Sequence, residues 1–380
     1  MTFHNPTLEI DLSALCANYR RLAGAAPAAT AAAVVKCDAY GLGAEAVGRV
    51  LHQKENCRSF FVAYSEEGAA LRKALGRDAE IFVFNGPFPD FIGTFRDYAL
   101  TPVLNSLDQA ALWAAQMRGA PAALNIDTGM HRLGVSPAVL SALKSMEGLN
   151  LTLVMSHLAC ASEAAHPMNE RQRAAFAQIA GQYPSARKSL ASSGGALIGE
   201  NFAFDMVRVG VGLYGVSPLD DRSVPFEPVA TLSAPVLQVH TMKAGETVGY
   251  GASFTAARNS TLATVALGYG DGYPRAGSNR GSAFLGGALC PIAGRVSMDL
   301  IVLDATDAPE RPKIGDRAEF FGRAFSIDAA AEACGTIGYE LLTGVGGLAR
   351  QRGGLGGRVA RRYLFDGAPA AQSLAGAEGM

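Results

Sequence analysis

The stretch Ala31-Ala-Ala-Val-Val-Lys36 is followed at once by Cys37-Asp-Ala-Tyr-Gly-Leu-Gly43. A short apolar run of this composition is typical of a buried strand in a parallel sheet. The lysine at its end faces the mouth of such a fold, and the glycines allow the backbone to approach a ligand closely. A lysine partly shielded from water can lose its proton and form an imine with a carbonyl cofactor. This stretch alone leaves a second interpretation open, in which the lysine simply reaches solvent.

Further runs of the same kind follow, and stretches with helical character separate them. Asp11 precedes an apolar stripe that starts at Leu12 and Leu15, as expected for a capped helix. Ser106 precedes an alanine-rich stretch, and Pro167 fits the first turn of another helix. The eight predicted strands are Ala31–Lys36, Ser59–Tyr64, Glu80–Asn85, Leu100–Leu104, Ala122–Asp127, Leu151–Leu158, Arg187–Ser193 and Asp205–Val209.

Eight alternating strand–helix units between residues 10 and 225 predict an α/β fold, a TIM-like (β/α)8 barrel. An open, doubly wound sheet is the alternative that the same alternation allows. The pattern changes after Pro225, where turn signals separate strand-like segments and no long helical stretch occurs before residue 326. These segments are Thr231–His240, Thr261–Gly268, Ile301–Leu303 and Ala318–Phe321.

We therefore predict two domains. A cofactor-binding barrel spans residues 10–225, and a separate mainly-β C-terminal domain spans residues 226–365 and is joined by residues 1–9. Residues 366–380 are predicted to form a loose tail, and Gly353–Gly357 a flexible connection that lacks the ending of a phosphate-binding loop.

The composition gives no indication of several kinds of partner and site. The 33 Lys and Arg residues balance 34 Asp and Glu residues, which gives no reason to expect nucleic acid or an acidic membrane surface as a partner. The six cysteines form no Cys-x-x-Cys pair, so neither a metal site nor a disulfide framework is indicated. The N-terminal residues resemble no secretory signal and no apolar segment is long enough to span a bilayer, so we expect a cytoplasmic protein.

The carboxyl ends of the predicted strands carry an unusual concentration of chemically active side chains. Barrel enzymes place their chemistry at this rim. Each residue has a purely structural interpretation when it is taken alone, but their joint occurrence on separate strands favours a site. The residues are Lys36, Asp127, Arg132, His157, Ser192, Ser193, Arg208 and Gly210.

The last two loops of the predicted barrel are suited to a phosphate. They read Ser192-Ser-Gly-Gly195 and Gly210-Val-Gly212, and barrels often bind phosphate with the loops after strands seven and eight. Hydroxyl groups and unobstructed backbone N–H groups are what a phosphate monoester needs. A phosphate site combined with Lys36 predicts pyridoxal phosphate, with the lysine at the aldehyde and the loops at the phosphate.

Eight motifs run in order through nearly the whole chain. They are Ala33–Gly43, Ile126–Gly134, Ser156–Ala159, Val207–Gly210, Val248–Gly251, Leu267–Gly272, Arg295–Asp299 and Ile337–Leu342. Together these motifs resemble the alanine racemase family, whose members are fold-type-III pyridoxal phosphate enzymes.

The resemblance implies two catalytic bases. Lys36 would hold the cofactor as an imine and act on one face of the substrate α-carbon. Tyr250 would act on the opposite face and would come from the β domain of a partner subunit, so that a homodimer shares the site. Bases on both faces allow racemisation without rotating the substrate. The expected reaction interconverts L-alanine and D-alanine, either to supply peptidoglycan or to break D-alanine down.

The resemblance also implies how cofactor and substrate are bound. Arg132 would contact the ring oxygen of the cofactor and the substrate carboxylate, which the backbone N–H of Met298 would also bind. His157 would link Tyr250 to Arg208. A phenol is a weak base, and a cationic His157–Arg208 neighbourhood would favour its ionised form. The phosphate would be surrounded by Tyr40, Ser193, Gly210, Val211 and Tyr339.

Arg208 would lie at the pyridine nitrogen, where it separates two reaction classes. An arginine stays protonated, so it donates a hydrogen bond and leaves the ring nitrogen uncharged. A neutral ring accepts electrons less readily than a pyridinium. Decarboxylases of related fold resemble this chain at Lys36 but carry an acidic residue at the ring nitrogen. The resemblance therefore implies a racemase.

Three positions depart from the frequent family pattern. Asn125 stands where many members have a lysine that is often carbamylated, His131 where glycine is frequent, and Ser297 where cysteine is frequent. A small anion such as chloride, bound beside Asn125 and Arg132, is our hypothesis for the missing negative charge. Four alternatives stay open: a broad-specificity amino acid racemase, a cofactor carrier without turnover, a barrel aldolase that uses Lys36, and a non-enzymatic scaffold.

Overall fold

The structure is a computed structural model that describes residues 5–347, 359–371 and 374. The chain begins with β1 (Thr7–Asp11) and α1 (Leu12–Gly24), and eight parallel strands then form a nearly closed barrel, as predicted. The barrel strands are β2 (Thr30–Val34), β3 (Ser59–Val62), β4 (Glu80–Val83), β5 (Thr101–Leu104), β6 (Pro121–Asn125), β7 (Asn150–Met155), β8 (Arg187–Ser189) and β9 (Met206–Val209).

The barrel closes between its last two strands. The order of the paired strands is β8-β7-β6-β5-β4-β3-β2-β9, so β8 and β9 stand at the two ends of the sheet. The backbone N–H of Arg208 donates to the carbonyl of Ala191 at 2.9 Å, and a parallel bridge joins Ser192 to Arg208. These contacts bring the two ends together, so the alternative of an open, doubly wound sheet is wrong.

Helices cover the outside of the barrel. Asp11 caps α1 by accepting from the backbone N–H groups of Ser13 and Ala14, each at 3.0 Å, and Ser106 and Pro167 start helices as predicted. The helical segments after α1 are α2 (Lys36–Tyr40), α3 (Ala44–Lys54), α4 (Ser65–Leu75), α5 (Ile92–Asp97), α6 (Leu107–Gln116), α7 (Leu140–Lys144), α8 (Pro167–Ala180) and α9 (Ser193–Leu197). Each of the longer helices buries one face, which is mainly apolar in α3 and α6 and includes polar side chains in α4 and α8.

Several barrel strands end earlier than the sequence predicted. The first ends at Val34 instead of Lys36, and the seventh ends at Ser189 instead of Ser193. The apolar pattern continues past the last ladder hydrogen bond because the residues just beyond the strands are still buried, as Val35 and Ala191 are. At these strand ends the apolar sequence pattern indicates buried residues and does not mark where the strand stops.

A separate mainly-β domain follows the barrel, as predicted, although its exact boundaries stay a prediction. β1 pairs antiparallel with the first strand of this domain and parallel with its penultimate strand, so both ends of the chain enter one sheet. The elements are β10 (Ala230–Met242), β11 (Thr247–Val248), β12 (Phe254–Thr255), β13 (Ser260–Val265), β14 (Ser282–Leu285), β15 (Ala288–Pro291), β16 (Ile301–Asp304), β17 (Arg317–Phe321), α10 (Ile327–Ala333), α11 (Gly338–Gly346), β18 (Ala360–Phe365) and β19 (Ala368–Pro369).

Two sequence predictions fall largely outside the described residues. The flexible connection Gly353–Gly357 lies entirely outside them, and so does most of the predicted tail 366–380. In the ranges that the structure does describe, no helix combines the length and the apolar composition that crossing a membrane requires.

The turn α2 winds in the opposite sense to an ordinary α-helix. Its residues Cys37–Tyr40 all have φ between 53° and 56°. Such a conformation costs about 1–2 kcal/mol for each residue with a side chain. Hydrogen bonds from neighbouring elements offset the strain: Glu67 of α4 accepts from the Cys37 N–H at 2.6 Å, and Asp38 pairs with Arg361 of β18 at 2.7 Å. The second domain therefore helps to hold the segment that begins with Lys36.

Gly41 ends this turn and lies directly against the backbone of α11. Its φ is +89°, and a Cβ at this position would lie 2.6 Å from the carbonyl oxygen of Leu342 and 2.8 Å from the Cα of Gly346. Neither contact can relax by moving a side chain, because both atoms belong to the backbone. Gly41 and Gly346 are thus both required where the turn of the barrel meets α11 of the second domain.

We expect Gly41→Ala to lower the free energy of unfolding by about 3 kcal/mol or more, because backbone strain adds to a backbone clash. Gly245 is the control, since its φ is +85° and no atom lies within 4 Å of an added Cβ. Gly245→Ala should cost only the strain of about 1 kcal/mol. Urea unfolding of both variants measures the difference, and equal losses would show that α11 does not constrain the turn.

Candidate active site

A single cavity of about 1080 Å³ opens at the carboxyl end of the barrel and gathers most of the predicted site. Asp127, Ser192 and Asn125 also line it, and Tyr339 reaches it from α11 of the second domain. Nine of the eleven residues predicted for catalysis or binding line this cavity: Lys36, Tyr40, Arg132, His157, Ser193, Arg208, Gly210, Val211 and Tyr339.

The other two predicted residues lie elsewhere in the chain. Tyr250 and Met298 belong to the second domain, are 71% and 55% exposed, and do not line the cavity. They share one surface, because Gly251 lies beside the guanidinium of Arg295 in the same loop that carries Met298. One chain by itself therefore does not bring these two residues to the rest of the site.

Arg208 is a buried cation at the bottom of the cavity. Its Nη1 donates to the carbonyl oxygen and to the hydroxyl of Ser189, at 2.9 and 2.6 Å, and its Nη2 donates to the Ser156 carbonyl at 2.6 Å. Over the part of the chain that the structure describes, no carboxylate pairs with it, and its hydrogen bonds leave Nε unused. Burial lowers the pKa of Arg208 to about 9, so the side chain is still protonated at neutral pH.

His157 is a neutral imidazole next to that cation. Its Nδ1 lies 3.2 Å from Nη2 of Arg208. A guanidinium has only donors, so Nδ1 accepts and the ring proton sits on Nε2. Burial, followed by the charges of Arg208, Arg132 and Lys36, lowers the pKa of His157 to about 3. The positive charge of the His157–Arg208 pair therefore lies on Arg208, because burial and three nearby cations keep the imidazole uncharged.

The loops after β8 and β9 offer donors for an oxyanion. The hydroxyl of Ser193 accepts from the Gly210 N–H at 2.8 Å, so its own proton stays available to a ligand. A Cβ on Gly210 would lie 2.9 Å from the hydroxyl of Tyr40, so only glycine leaves this space open. Burial raises the pKa of Tyr40, and burial raises the pKa of Tyr339 to about 12, so both phenols remain protonated donors. Neutral donors of this kind fit a phosphate monoester.

Asp127 organises the loop that carries Arg132. One of its oxygens accepts from the backbone N–H groups of Gly129, Met130 and His131, at 2.9 to 3.1 Å. Burial alone would raise the pKa of Asp127, but these hydrogen bonds and the nearby His131 hold it below the usual value. The carboxylate is occupied by its own loop and is not a base directed at a ligand.

The neighbourhood of Asn125 contains amides in place of a charge. Its Nδ2 donates to Oδ1 of Asn105 at 2.9 Å, and Asn105 donates in turn to the carbonyls of Phe84 and Val103 at 2.9 Å. Sequence reasoning missed Asn105, because a single asparagine after a strand carries no distinctive signal. An anion beside Asn125 stays a prediction.

Taken together, the cavity can bind an anionic, phosphate-bearing ligand next to an amine. Lys36, Arg132 and Arg208 supply positive charge, and the Ser193–Gly210 loops supply neutral donors. Across the described ranges, no group of three His, Cys, Asp or Glu side chains is arranged to hold a metal ion. The donor set suits an organic cofactor that carries an aldehyde and a phosphate.

Comparison with known families and proteins gives a consistent result. Residues 10–218 match the family described as "Alanine racemase, N-terminal domain", and residues 229–352 match "Alanine racemase, C-terminal domain". A catabolic alanine racemase of Agrobacterium fabrum is 46% identical over 348 residues, which cover 89% of this chain and 89% of that protein. An alanine racemase of Rhodospirillum rubrum is 43% identical over 366 residues, covering 94% and 95%.

Solved structures with the same fold carry related names. Alanine racemase from Bartonella henselae, with covalently bound pyridoxal phosphate, matches with a TM-score of 0.87 at 37% identity, covering 95% of this chain and 99% of that one. The biosynthetic alanine racemase from Pseudomonas aeruginosa matches with a TM-score of 0.85 at 36% identity, over the same shares.

The neutral state of His157 predicts how stability depends on pH. The unfolded histidine binds a proton near pH 6.5 and the folded one only near pH 3, so between these values the unfolded state holds more protons. Stability from this group is complete above pH 6.5 and is lost as the pH falls. We expect the wild type to lose more unfolding free energy between about pH 7 and about pH 5 than His157→Gln loses. Urea unfolding at both pH values tests this, and identical losses would contradict a neutral folded imidazole.

Proposed function

The chain belongs to the alanine racemase family, and on this premise we propose that it is a pyridoxal phosphate-dependent enzyme that interconverts L-alanine and D-alanine. The observation that supports this most strongly is the position of Arg208. A protonated arginine lies at the bottom of the cavity that Lys36 and the Ser193–Gly210 loops also line. This combination suits the cofactor and the reaction at once.

The cavity fits the cofactor at each of its ends. Ser193, Gly210, Val211 and the phenols of Tyr40 and Tyr339 would hold the phosphate. The amine of Lys36 would hold the aldehyde carbon, and Nε of Arg208 would donate to the pyridine nitrogen. When it is bound, pyridoxal phosphate supplies an electron sink for the electron pair that remains when an α-proton leaves.

Arg208 sets how strong that sink is. Because the guanidinium is a very weak acid, it donates a hydrogen bond to the pyridine nitrogen and keeps its own proton, while its bonds to Ser189 and Ser156 hold it in place. An unprotonated ring withdraws electrons less strongly. The arrangement favours rapid return of a proton to the α-carbon over decarboxylation or transamination.

Lys36 and Tyr250 would move the proton from opposite faces of the α-carbon. Since Arg208 occupies Nδ1 of His157, the Nε2–H of the imidazole is free to donate to the phenol oxygen of Tyr250. A negative charge on that oxygen is then stabilised by a hydrogen-bonded chain that ends at a cation. Arg132 and the backbone N–H of Met298 would hold the substrate carboxylate.

A second copy of the chain would supply Tyr250 and Met298. Their exposure, together with that of Tyr269 and Leu300 at 42% and 39%, supports this assignment, because apolar side chains gathered on one loop surface are typical of an interface. Backbone hydrogen bonds hold Tyr269 and Met298 in one unit: Tyr269 donates to the Ser297 carbonyl and Gly270 to the Met298 carbonyl. A homodimer would thus complete two sites. The division into a cofactor domain and a domain that serves the partner belongs to the same proposal.

A racemisation assay tests the proposal directly. The purified protein, with pyridoxal phosphate added, should convert L-alanine to the racemate, whereas Lys36→Ala should be inactive and should lack the visible absorption of the bound cofactor. L-Serine and L-lysine measure the breadth of the substrate range. Comparable rates with L-lysine would favour a broad-specificity racemase, and no alanine racemisation with the cofactor bound would refute the proposal.

Mixing two inactive variants tests whether the site is shared between subunits. In a mixed dimer of Lys36→Ala and Tyr250→Phe, one site carries both substitutions and the other carries neither. After random exchange half of the dimers are mixed, so about a quarter of wild-type activity should return. A site confined to one chain would show no recovery, because every chain then carries a defect. Mixing each variant with itself under the same conditions is the control.

A further inference from the structure

Helix α8 buries two carboxamide side chains on one face, a turn apart. Asn169 is 1% exposed and Gln172 is 0% exposed. A buried amide is unfavourable unless it is hydrogen-bonded, so its partners indicate what it is fixing. Oε1 of Gln172 accepts from the backbone N–H of Ala159 at 2.8 Å, and Nε2 donates to the carbonyl of His157 at 2.9 Å.

The same Nε2 of Gln172 also donates to the hydroxyl of Thr128 at 3.3 Å. Thr128 belongs to the loop that carries Arg132, and its hydroxyl lies 2.8 Å from the hydroxyl of Ser156. Gln172 therefore connects two loops of the cavity, the one after β6 and the one after β7. Gln172 itself does not line the cavity, and its hydrogen bonds to the cavity residues His157 and Ala159 go to their backbone.

The contacts with His157 and Ala159 fix the backbone on both sides of Leu158. A peptide held at a carbonyl and at an N–H two residues later cannot rotate, so the direction of the His157 side chain is set. The ring has to satisfy two neighbours at once, Arg208 at Nδ1 and a phenol oxygen at Nε2. A small rotation of its backbone would break both alignments.

We propose that Gln172 is a positioning residue that, through the backbone of His157, keeps the imidazole aligned between Arg208 and the Tyr250 phenol. This inference rests on the proposed function, since it assigns Gln172 to the half of the reaction that uses Tyr250. Lys36 begins α2, after a different strand, and no hydrogen bond joins it to Gln172. The loss of Gln172 should therefore affect the two proton transfers unequally.

Asn169 provides a matched control. It lies on the same helix face with the same burial, and its Nδ2 donates to the carbonyls of Cys160 and Glu163 at 3.1 and 2.9 Å. These bonds hold the same loop, but they reach neither His157 nor Thr128. Like Gln172→Met, Asn169→Leu removes buried hydrogen bonds, but it leaves the hydrogen bond to the His157 backbone in place. Gln172→Glu is the second test variant, because it preserves the shape and the acceptor for Ala159 but, when ionised, lacks the donor for His157.

Deuterium exchange at the α-carbon separates the two bases. In deuterated solvent, exchange with retention in L-alanine reports the Tyr250 side and exchange with retention in D-alanine reports the Lys36 side. For Gln172→Met we expect about a tenfold loss on the L-alanine side, equivalent to one hydrogen bond in the transition state, and less than about a twofold loss on the D-alanine side. Tyr250→Phe is the reference for a complete loss of the L-alanine side, and Asn169→Leu should change both sides in equal proportion.

A second readout needs neither cofactor nor turnover. In protein labelled with 15N-histidine, the ring nitrogens of His157, identified by their loss in His157→Gln, should show Nδ1 as the acceptor and the proton on Nε2. In Gln172→Met and Gln172→Glu both shifts should move toward the average of the two tautomers, and in Asn169→Leu they should stay. Thermal melts establish that the variants are folded at the temperature used.

The outcomes are distinct. Equal loss of both exchanges in Gln172→Met, or an unchanged imidazole signal in both Gln172 variants, would overturn the inference while wild-type racemisation still supports the proposed function. If the wild type bound pyridoxal phosphate and racemised nothing, the proposed function itself would fail. In that case the nitrogen shifts alone would decide whether Gln172 orients His157.

Discussion

The structure depends on one buried cation that has no carboxylate partner among the described residues. The backbone of Arg208 closes the barrel through its bond to Ala191, and its side chain is solvated by the carbonyls of Ser189 and Ser156 at the ends of neighbouring strands. A buried charge is tolerated only where dipoles replace its water. A carbonyl oxygen has two lone pairs, so that of Ser189 accepts from Arg208 as well as from the backbone N–H of Ser156. The geometry of barrel closure and the electrostatics of the cavity therefore have the same origin.

That cation determines the state of its neighbours. Burial and the charge of this cation keep His157 neutral, and its hydrogen bond fixes the tautomer, so the imidazole transmits a hydrogen bond and carries no charge itself. Gln172 then donates a hydrogen bond to the backbone carbonyl of His157, and Asp127 accepts hydrogen bonds from the loop that carries Arg132. Two of the residues that face the cavity, His157 and Arg132, are thus supported by a neighbouring polar side chain through their backbone or their loop, which is an arrangement that precise proton transfer requires.

The second domain supports the site within its own chain and, in the proposed dimer, would also complete the site of a partner. Through Arg361 and the contact between Gly41 and α11 it supports the left-handed turn that begins with Lys36, within one chain. Through the surface that carries Tyr250 and Met298 it would complete the site of a partner. In this proposal activity depends on assembly, because the second domain supports Lys36 in its own chain and supplies Tyr250 to the partner.

The sequence by itself determined the number of barrel strands, the mainly-β second domain and nine residues that line the cavity. Apolar periodicity reports burial and the carboxyl ends of parallel strands meet at one rim, which predicted Lys36, Arg132, His157, Ser193, Arg208 and Gly210. The family resemblance added Tyr40, Val211 and Tyr339. Only the tertiary structure decided the neutral state of His157, the left-handed turn Cys37–Tyr40, the burial of Gln172 and the separation of Tyr250 from the cavity of its own chain. Protonation, backbone strain and amide pairing depend on desolvation and on charges that approach through space, and residue spacing along a chain does not encode those distances.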